Sequence, residues 1–127
     1  MADEPNVRLT IVFNDPNLDS EELEEQAQNL LAQMKDLDEI ETVDRVHDPN
    51  PPEGNKAIGG FVVGLLMTEV SVANFKKLGA FLGDRLGNKP IKLKVKAPDG
   101  REMELEASSQ AEFDYAYQKA QAFLKGN

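Results

Sequence analysis

The sequence predicts an α/β fold: a two-layer sandwich of order β-α-β-α-β-β-α, with a mixed sheet ending in a 91–97/101–107 hairpin and helices covering one face. Three observations carry this reading. VRLTIVF (7–13) alternates Val7, Leu9, Ile11 and Phe13 with other residues, the period of a strand with a buried face. Leu23, Ala27, Leu30, Leu31, Met34 and Leu37 recur at helical spacing. IKLKVKAPDGREMELEA (91–107) alternates lysine with apolar residues, turns at Pro-Asp-Gly, then alternates glutamate with apolar residues.

The first strand ends at NDPN, a run of turn formers. Asp19 then stands where a helix N-cap belongs, Glu22 occupies the capping-box position, and Leu18 and Leu23 have the spacing of a hydrophobic staple. A short strand is expected near 42–47, completing a β-α-β unit that is right-handed if its strands are parallel. HDPNPPEGN, within a loop spanning 47–56, is too rich in proline, glycine and asparagine for regular structure.

The most apolar stretch, AIGGFVVGLLMTEVSVANFKKLGAFLGDRLG (57–87), is free of charge only over 57–68. That is short of the roughly 20 residues a membrane-spanning helix needs. Ile58, Phe61, Val62, Leu65 and Leu66 fall at i, i+3, i+4, i+7 and i+8, and Phe75, Leu78, Phe81, Leu82 and Leu86 resume the pattern. The spacing predicts a helix broken or bent near Thr68–Ser71, with Ser71 capping a second segment and Gly87 stopping it. Gly60-x-x-x-Gly64 and Gly79-x-x-x-Gly83 would let this helix pack closely on the domain's own sheet, a simpler reading than a dimer interface.

Hairpin register follows from side-chain chemistry, because residues directly opposite share a face. A two-residue Asp99–Gly100 loop would set Lys96 against Met103. A three-residue Pro98-Asp99-Gly100 loop pairs Lys96 with Glu102, Lys94 with Glu104 and Lys92 with Glu106, and suits a type I turn plus bulge with Gly100 left-handed. The final helix begins at Ser109, with Glu112 in its capping box and Phe113, Ala116, Tyr117, Ala120, Phe123 and Leu124 as its stripe.

The chain of 127 residues carries a net charge of −9 and no cysteine. It is expected to form one domain over 1–127, with 1–6 flexible, in a reducing, cytoplasmic setting. Residues 1–53 hold 15 acids and 3 bases, whereas 54–127 hold 8 acids and 11 bases. An acidic chain repels nucleic acid and anionic membrane, so neither is an expected partner.

Catalytic patterns are lacking. The one histidine, His47, sits among Asp44, Asp48 and Glu53 and reads as a solvated loop residue rather than a metal ligand. There is no phosphate-binding G-x-x-x-x-G-K-[ST] and no Gly-x-Ser-x-Gly. No cofactor and no enzyme activity are expected. Two functions remain: a protein-interaction module, with Glu21, Glu24, Glu25, Phe61, Gly64, Phe75 and Gly79 as candidate contacts, or a small-ligand or enzyme site in a cleft between the 57–87 helix and the sheet. Convergent polar groups under that helix would mark a ligand site, and exposed Phe or Leu would mark an interface.

Over residues 7–125 the pattern resembles the effector-associated constant component family of bacterial conflict systems. The resemblance rests on VRLTIVF with LEEQAQNLLAQM, on IGGFVVGLL with FKKLGAFLGDRLGN, and on IKLKVKAPDGREMELEAS. It implies a small regulatory or adaptor companion of a variable effector, often a protease or NTPase. It carries over no functional residues. A homo-oligomer is a further expectation.

Overall fold

The computed structural model describes residues 6–38, 40–47, 57–58 and 61–124. The expected flexible start and the loop therefore lie, but for Asn6 and His47, outside the described residues. The elements are β1 (Asn6–Phe13), α1 (Ser20–Met34), β2 (Ile40–His47), β3 (Ala57–Ile58), β4 (Phe61–Ser71), α2 (Val72–Leu86), β5 (Ile91–Lys96), β6 (Glu102–Ala107) and α3 (Gln110–Leu124). The fold is α/β in two layers, and the predicted order holds with two strands added before α2.

Local chemistry accounts for the elements that follow the expectation. At α1, Asp19 Oδ1 accepts from the Glu22 amide at 2.9 Å, and Glu22 Oε1 accepts from the Asp19 amide at 3.0 Å, closing the capping box. Ser71 Oγ accepts from the Asn74 amide at 3.1 Å and caps α2. In the β5–β6 hairpin Lys96 faces Glu102, Lys94 faces Glu104 and Lys92 faces Glu106, with Gly100 at φ +96°. That is the three-residue loop which the charge pairing requires.

Two expectations are corrected. Residues 57–58 and 61–68 are not helical: β3 and β4 run there, and the helix begins only at Val72. β4 lies between β1 and β2 with apolar residues on both its core face and its open face, and a strand apolar on both faces mimics helical spacing over a short run. The decisive period is two: Leu66, Thr68 and Val70 are buried while Leu65, Met67 and Glu69 are half-exposed. Gly64, at φ +68°, is outside helical geometry altogether.

The sheet is not mixed either. Its order is β2-β4-β1-β5-β6, β3 pairs β4, and every pairing is antiparallel. β1 and β2 do run parallel, but with β4 between them, and β4 and β5 run parallel with β1 between them. Two interlocked split β-α-β units result, the ferredoxin-like arrangement, extended by β6 and α3. His47 closes β2 rather than lying in a loop, and its side chain is outside the described set.

All three helices lie on one side of the sheet, over a single core cluster. Val7, Leu9, Ile11 and Phe13 of β1, Ile91, Leu93 and Val95 of β5, and Leu66 and Val70 of β4 point into it from below. Ala27, Leu30 and Met34 of α1, Phe75, Leu78, Leu82 and Leu86 of α2, and Phe113, Tyr117 and Ala120 of α3 close it from above. Leu23, Leu31 and Leu37 pack half-buried at its margin. The glycines of α2 serve α3 rather than the sheet. A Cβ on Gly79 would lie 2.5 Å from the Tyr117 ring, and one on Gly83 would lie 3.4 Å from Phe113.

Two results test this packing. Leu30→Asp or Leu82→Asp places an unpaired charge where wild-type exposure is 3% or 0%. The cost, several kcal/mol against a total stability of about 5–15 kcal/mol, should abolish the cooperative melt followed by circular dichroism. Gly79→Ala should lower the unfolding free energy by about 1–3 kcal/mol, and the denaturant midpoint with it, by pushing Tyr117 off α2. A wild-type midpoint would show that α2 and α3 are not in close contact.

Candidate binding surfaces

The side chains that sequence reasoning nominated for an interface divide into three groups. Glu21 and Glu25 are exposed on α1, as a contact surface requires. Phe61 lies in β4 opposite Ile58 and His47, with its side chain outside the described set. Glu24, Gly64, Phe75 and Gly79 are structural, and the structure brings them together in two pairs.

The first pair joins α1 to β4. Glu24 is only 4% exposed; its Oε1 accepts from the Gly64 amide at 3.3 Å, and its Oε2 accepts from Gln28 Nε2 at 3.0 Å. Gly64 is tightly enclosed, since a Cβ there would sit 3.2 Å from both Leu23 Cβ and the Phe13 carbonyl oxygen, and its φ of +68° disfavours any side chain. The second pair belongs to the α2–α3 seam. Phe75 is 1% exposed and stacks on Tyr117 with centroids 4.5 Å apart, beside Gly79. Tyr117 Oη donates to the Phe75 carbonyl at 2.6 Å. Burial raises the Tyr117 pKa far above its ordinary value, so the phenol stays neutral and acts as a donor. Glu24, Gly64 and Phe75 are buried, and Gly79 is half-buried against the Tyr117 ring.

Other perturbed groups also serve the fold. The Arg101 amide and guanidinium lower the Asp99 pKa in the hairpin turn, and the Ser108 amide and hydroxyl lower that of Glu112 at the start of α3. Because both pKa values are depressed, the stability linked to them is present above the ordinary carboxylate range and is lost as pH falls through the folded values.

A groove of about 280 Å³ separates α1 from α2. Phe13, Leu30 and Leu86 floor it, Gln26, Asn29 and Gln33 line the α1 wall, and Arg85 and Lys89 line the other. Arg85 Nε donates to Gln33 Oε1 across the gap, and its guanidinium lies 4.1 Å from the centroid of the Phe81 ring. These are convergent polar groups beside the glycine-bearing helix. The exposed Phe or Leu that would mark an interface on that helix is not found among the described residues, where Tyr115 of α3 is the one strongly exposed large hydrophobe.

On the sheet face turned away from the helices, the lysine–glutamate ladder of the hairpin was legible in the sequence, but the part formed by β1 and β4 was missed. Register lays it out in rows: Thr42, Glu69, Arg8, Lys96 and Glu102, then Asp44, Met67, Thr10, Lys94 and Glu104, then Leu65, Val12, Lys92 and Glu106. Columns of like character result, with glutamate on β6, lysine on β5 and a half-buried neutral strip of Thr10, Val12, Leu65 and Met67 on β1 and β4. A hollow of about 300 Å³ lies over this strip, edged by Arg8, Lys94, Lys96 and Glu102. The signal for it, period two in GLLMTEV, was hidden by the helical reading of 57–68.

No family model, curated protein or solved structure significantly matches this chain. Among the described residues no group of three His, Cys, Asp or Glu could hold a metal ion, and no helix is long and apolar enough to cross a membrane.

The Glu24 contact yields its own test. Glu24→Ala removes the acceptor of a buried amide and should cost about 1–3 kcal/mol in urea unfolding. Glu24→Gln keeps an acceptor oxygen and should cost less. Equal losses would show that the amide bond to Gly64 contributes nothing.

Proposed function

We propose that this chain is a non-enzymatic protein-interaction or regulatory module and that its contact surface is the helix-free face of the sheet. The observation that carries the reading is the neutral strip of Thr10, Val12, Leu65 and Met67, left half-exposed by three helices that all pack on the opposite side. Antiparallel sheets tolerate one wet face, but that face is then usually polar throughout. Here the strip is apolar at its centre and charged at its flanks, the layout of an interface core within a polar rim.

Charge specifies the occupant. Lys94 and Lys92 of β5 border the strip on one side, Asp44 of β2 borders it on the other, and Arg8 and Glu69 pair with each other at 3.2 Å across its end. The complementary partner is a folded protein presenting an apolar ridge, with acidic residues toward β5 and basic residues toward β2. The resemblance to the effector-associated constant component family suggests that this partner is an effector protease or NTPase in a bacterial cytoplasm. The α1–α2 groove favours a second reading, in which Lys89, Arg85 and the facing amides bind a small anionic molecule.

Affinity capture from the host separates these readings. Wild-type protein should retain one stoichiometric partner, identified by mass spectrometry as a protease or NTPase. Met67→Lys should reduce its recovery at least about tenfold, since a central interface residue commonly contributes more than 1 kcal/mol, while melting as the wild type does. Glu21→Gln with Glu25→Gln should leave recovery unchanged. Undiminished recovery by Met67→Lys, or loss with the α1 pair, would overturn the sheet-face reading. A wild-type protein that elutes with a small anion alone would establish the second.

A further inference from the structure

The sheet ends at β2 on one side and at β6 on the other. Every exposed edge offers unpaired backbone donors and acceptors to a passing strand, and folded proteins blunt such edges with bulges, proline or charge. The two edges here are treated differently. β2 is irregular, with its register slipping between Ile40 and Thr42 and again between Arg45 and His47. β6 holds continuous register over six residues, Glu102 to Ala107, and contains no proline.

β6 is also held in place from behind. α3 packs beneath it; Arg101 Nη2, at the start of the strand, donates to the Phe123 carbonyl at 3.2 Å, and its guanidinium lies 4.6 Å from the centroid of the Phe123 ring. Met103 and Leu105 face the helix layer and remain half-exposed at the margin of the core. An added strand would complete their cover.

The open-face side chains of β6 decide which strand can be added. Glu102, Glu104 and Glu106 are 69%, 52% and 69% exposed and stand 3.9 Å from the lysines of β5 on the inner side. On the outer side nothing among the described residues pairs with the strand. A second β6, in any register that keeps apolar faces together, would set carboxylate against carboxylate. β5 shows the chemistry that β6 accepts, lysine alternating with apolar residues.

We propose that the outer edge of β6 binds an extended partner segment in which lysine or arginine alternates with apolar residues, added as a further strand. Main-chain hydrogen bonds supply the attachment, the basic side chains pair with Glu102, Glu104 and Glu106, and the apolar ones extend the core over Met103 and Leu105. The glutamates exclude self-pairing while admitting such a segment, and the chain's net charge of −9 attracts it at a distance. This inference deepens the interaction reading by giving the chemistry of one contact.

The test uses the intact protein and three blocked heptapeptides: Lys-Val-Lys-Val-Lys-Val-Lys, its glutamate counterpart, and a block peptide of the same four lysines and three valines. Amide hydrogen exchange is followed along β6. The alternating basic peptide should slow exchange at the outward amides of Glu102–Ala107 at least about tenfold at low salt, whereas the acidic and block peptides should not. Glu102→Gln/Glu104→Gln/Glu106→Gln should weaken the effect about tenfold with an unchanged melt. Equal protection by the block peptide, protection elsewhere than β6, or peptide-free dimerisation through β6 would overturn the inference. The wild-type comparison of peptides needs no variant to fold. Failure here would leave the sheet-face reading intact, because that reading depends on the Met67→Lys capture and not on β6.

Discussion

At Gly64 the interior strand β4 passes beneath α1 with φ +68°, so close that a Cβ would sit 3.2 Å from both Leu23 Cβ and the Phe13 carbonyl oxygen. The Gly64 amide donates to Glu24, a carboxylate in the buried face of a helix that otherwise packs through Ala27, Leu30 and Met34. A carboxylate in such a place is costly unless a donor meets it, and an unbonded strand amide is costly for the same reason. Each group answers the other. The contact ties α1 to β4 where that strand runs paired between β1 and β2.

What the sequence revealed and what it hid follow from the same distinction. Asp19 with Glu22, Ser71 with Asn74, and the lysine–glutamate register of the hairpin were legible because each signal is local and the alternative arrangement has a definite penalty. The interior place of β4 is a property of the sheet, and nothing within residues 57–71 announces that strands lie on either side. An apolar run of that length satisfies a helical template and a central-strand template equally well. Glu24 was misjudged for a related reason. On a helix crowded with exposed glutamates its role is set by a glycine 40 residues away. The candidate interface suffered in turn: Phe75 and Gly79 looked like a contact stripe, and they are one, but the contact is α3 of the same chain.

Placing 61–71 in the sheet also changes which surface is free. Had this segment been helical, its Leu and Phe residues would have packed as one stripe on the domain's own sheet. As a strand it divides its residues between layers, sending Leu66, Thr68 and Val70 into the core and Leu65, Met67 and Glu69 to the open face. The apolar strip on that face is thus a direct consequence of the topology. β1 and β4 are the two most enclosed strands, and their outward residues are the ones with most freedom to be apolar while still being shielded by flanking charged columns.

The split β-α-β core is an arrangement that many unrelated functions share, so it carries no functional information by itself. What individualises this chain is the addition of β6 and α3. Their attachment is specific: Tyr117 donates to the Phe75 carbonyl, Phe113 and Phe75 stack on either side of the Tyr117 ring, and Arg101 joins the hairpin turn to the end of α3. Without the addition β5 would be an edge strand whose solvent face is three lysines. With it, the sheet ends instead in three glutamates, and the edge of an acidic protein becomes more acidic still. Extending the sheet by one strand therefore reverses the charge presented to whatever approaches it, while α3 backs that edge and its register stays continuous. The charge of the edge and its order come from the same two elements, and both are properties that recognition of an extended chain requires.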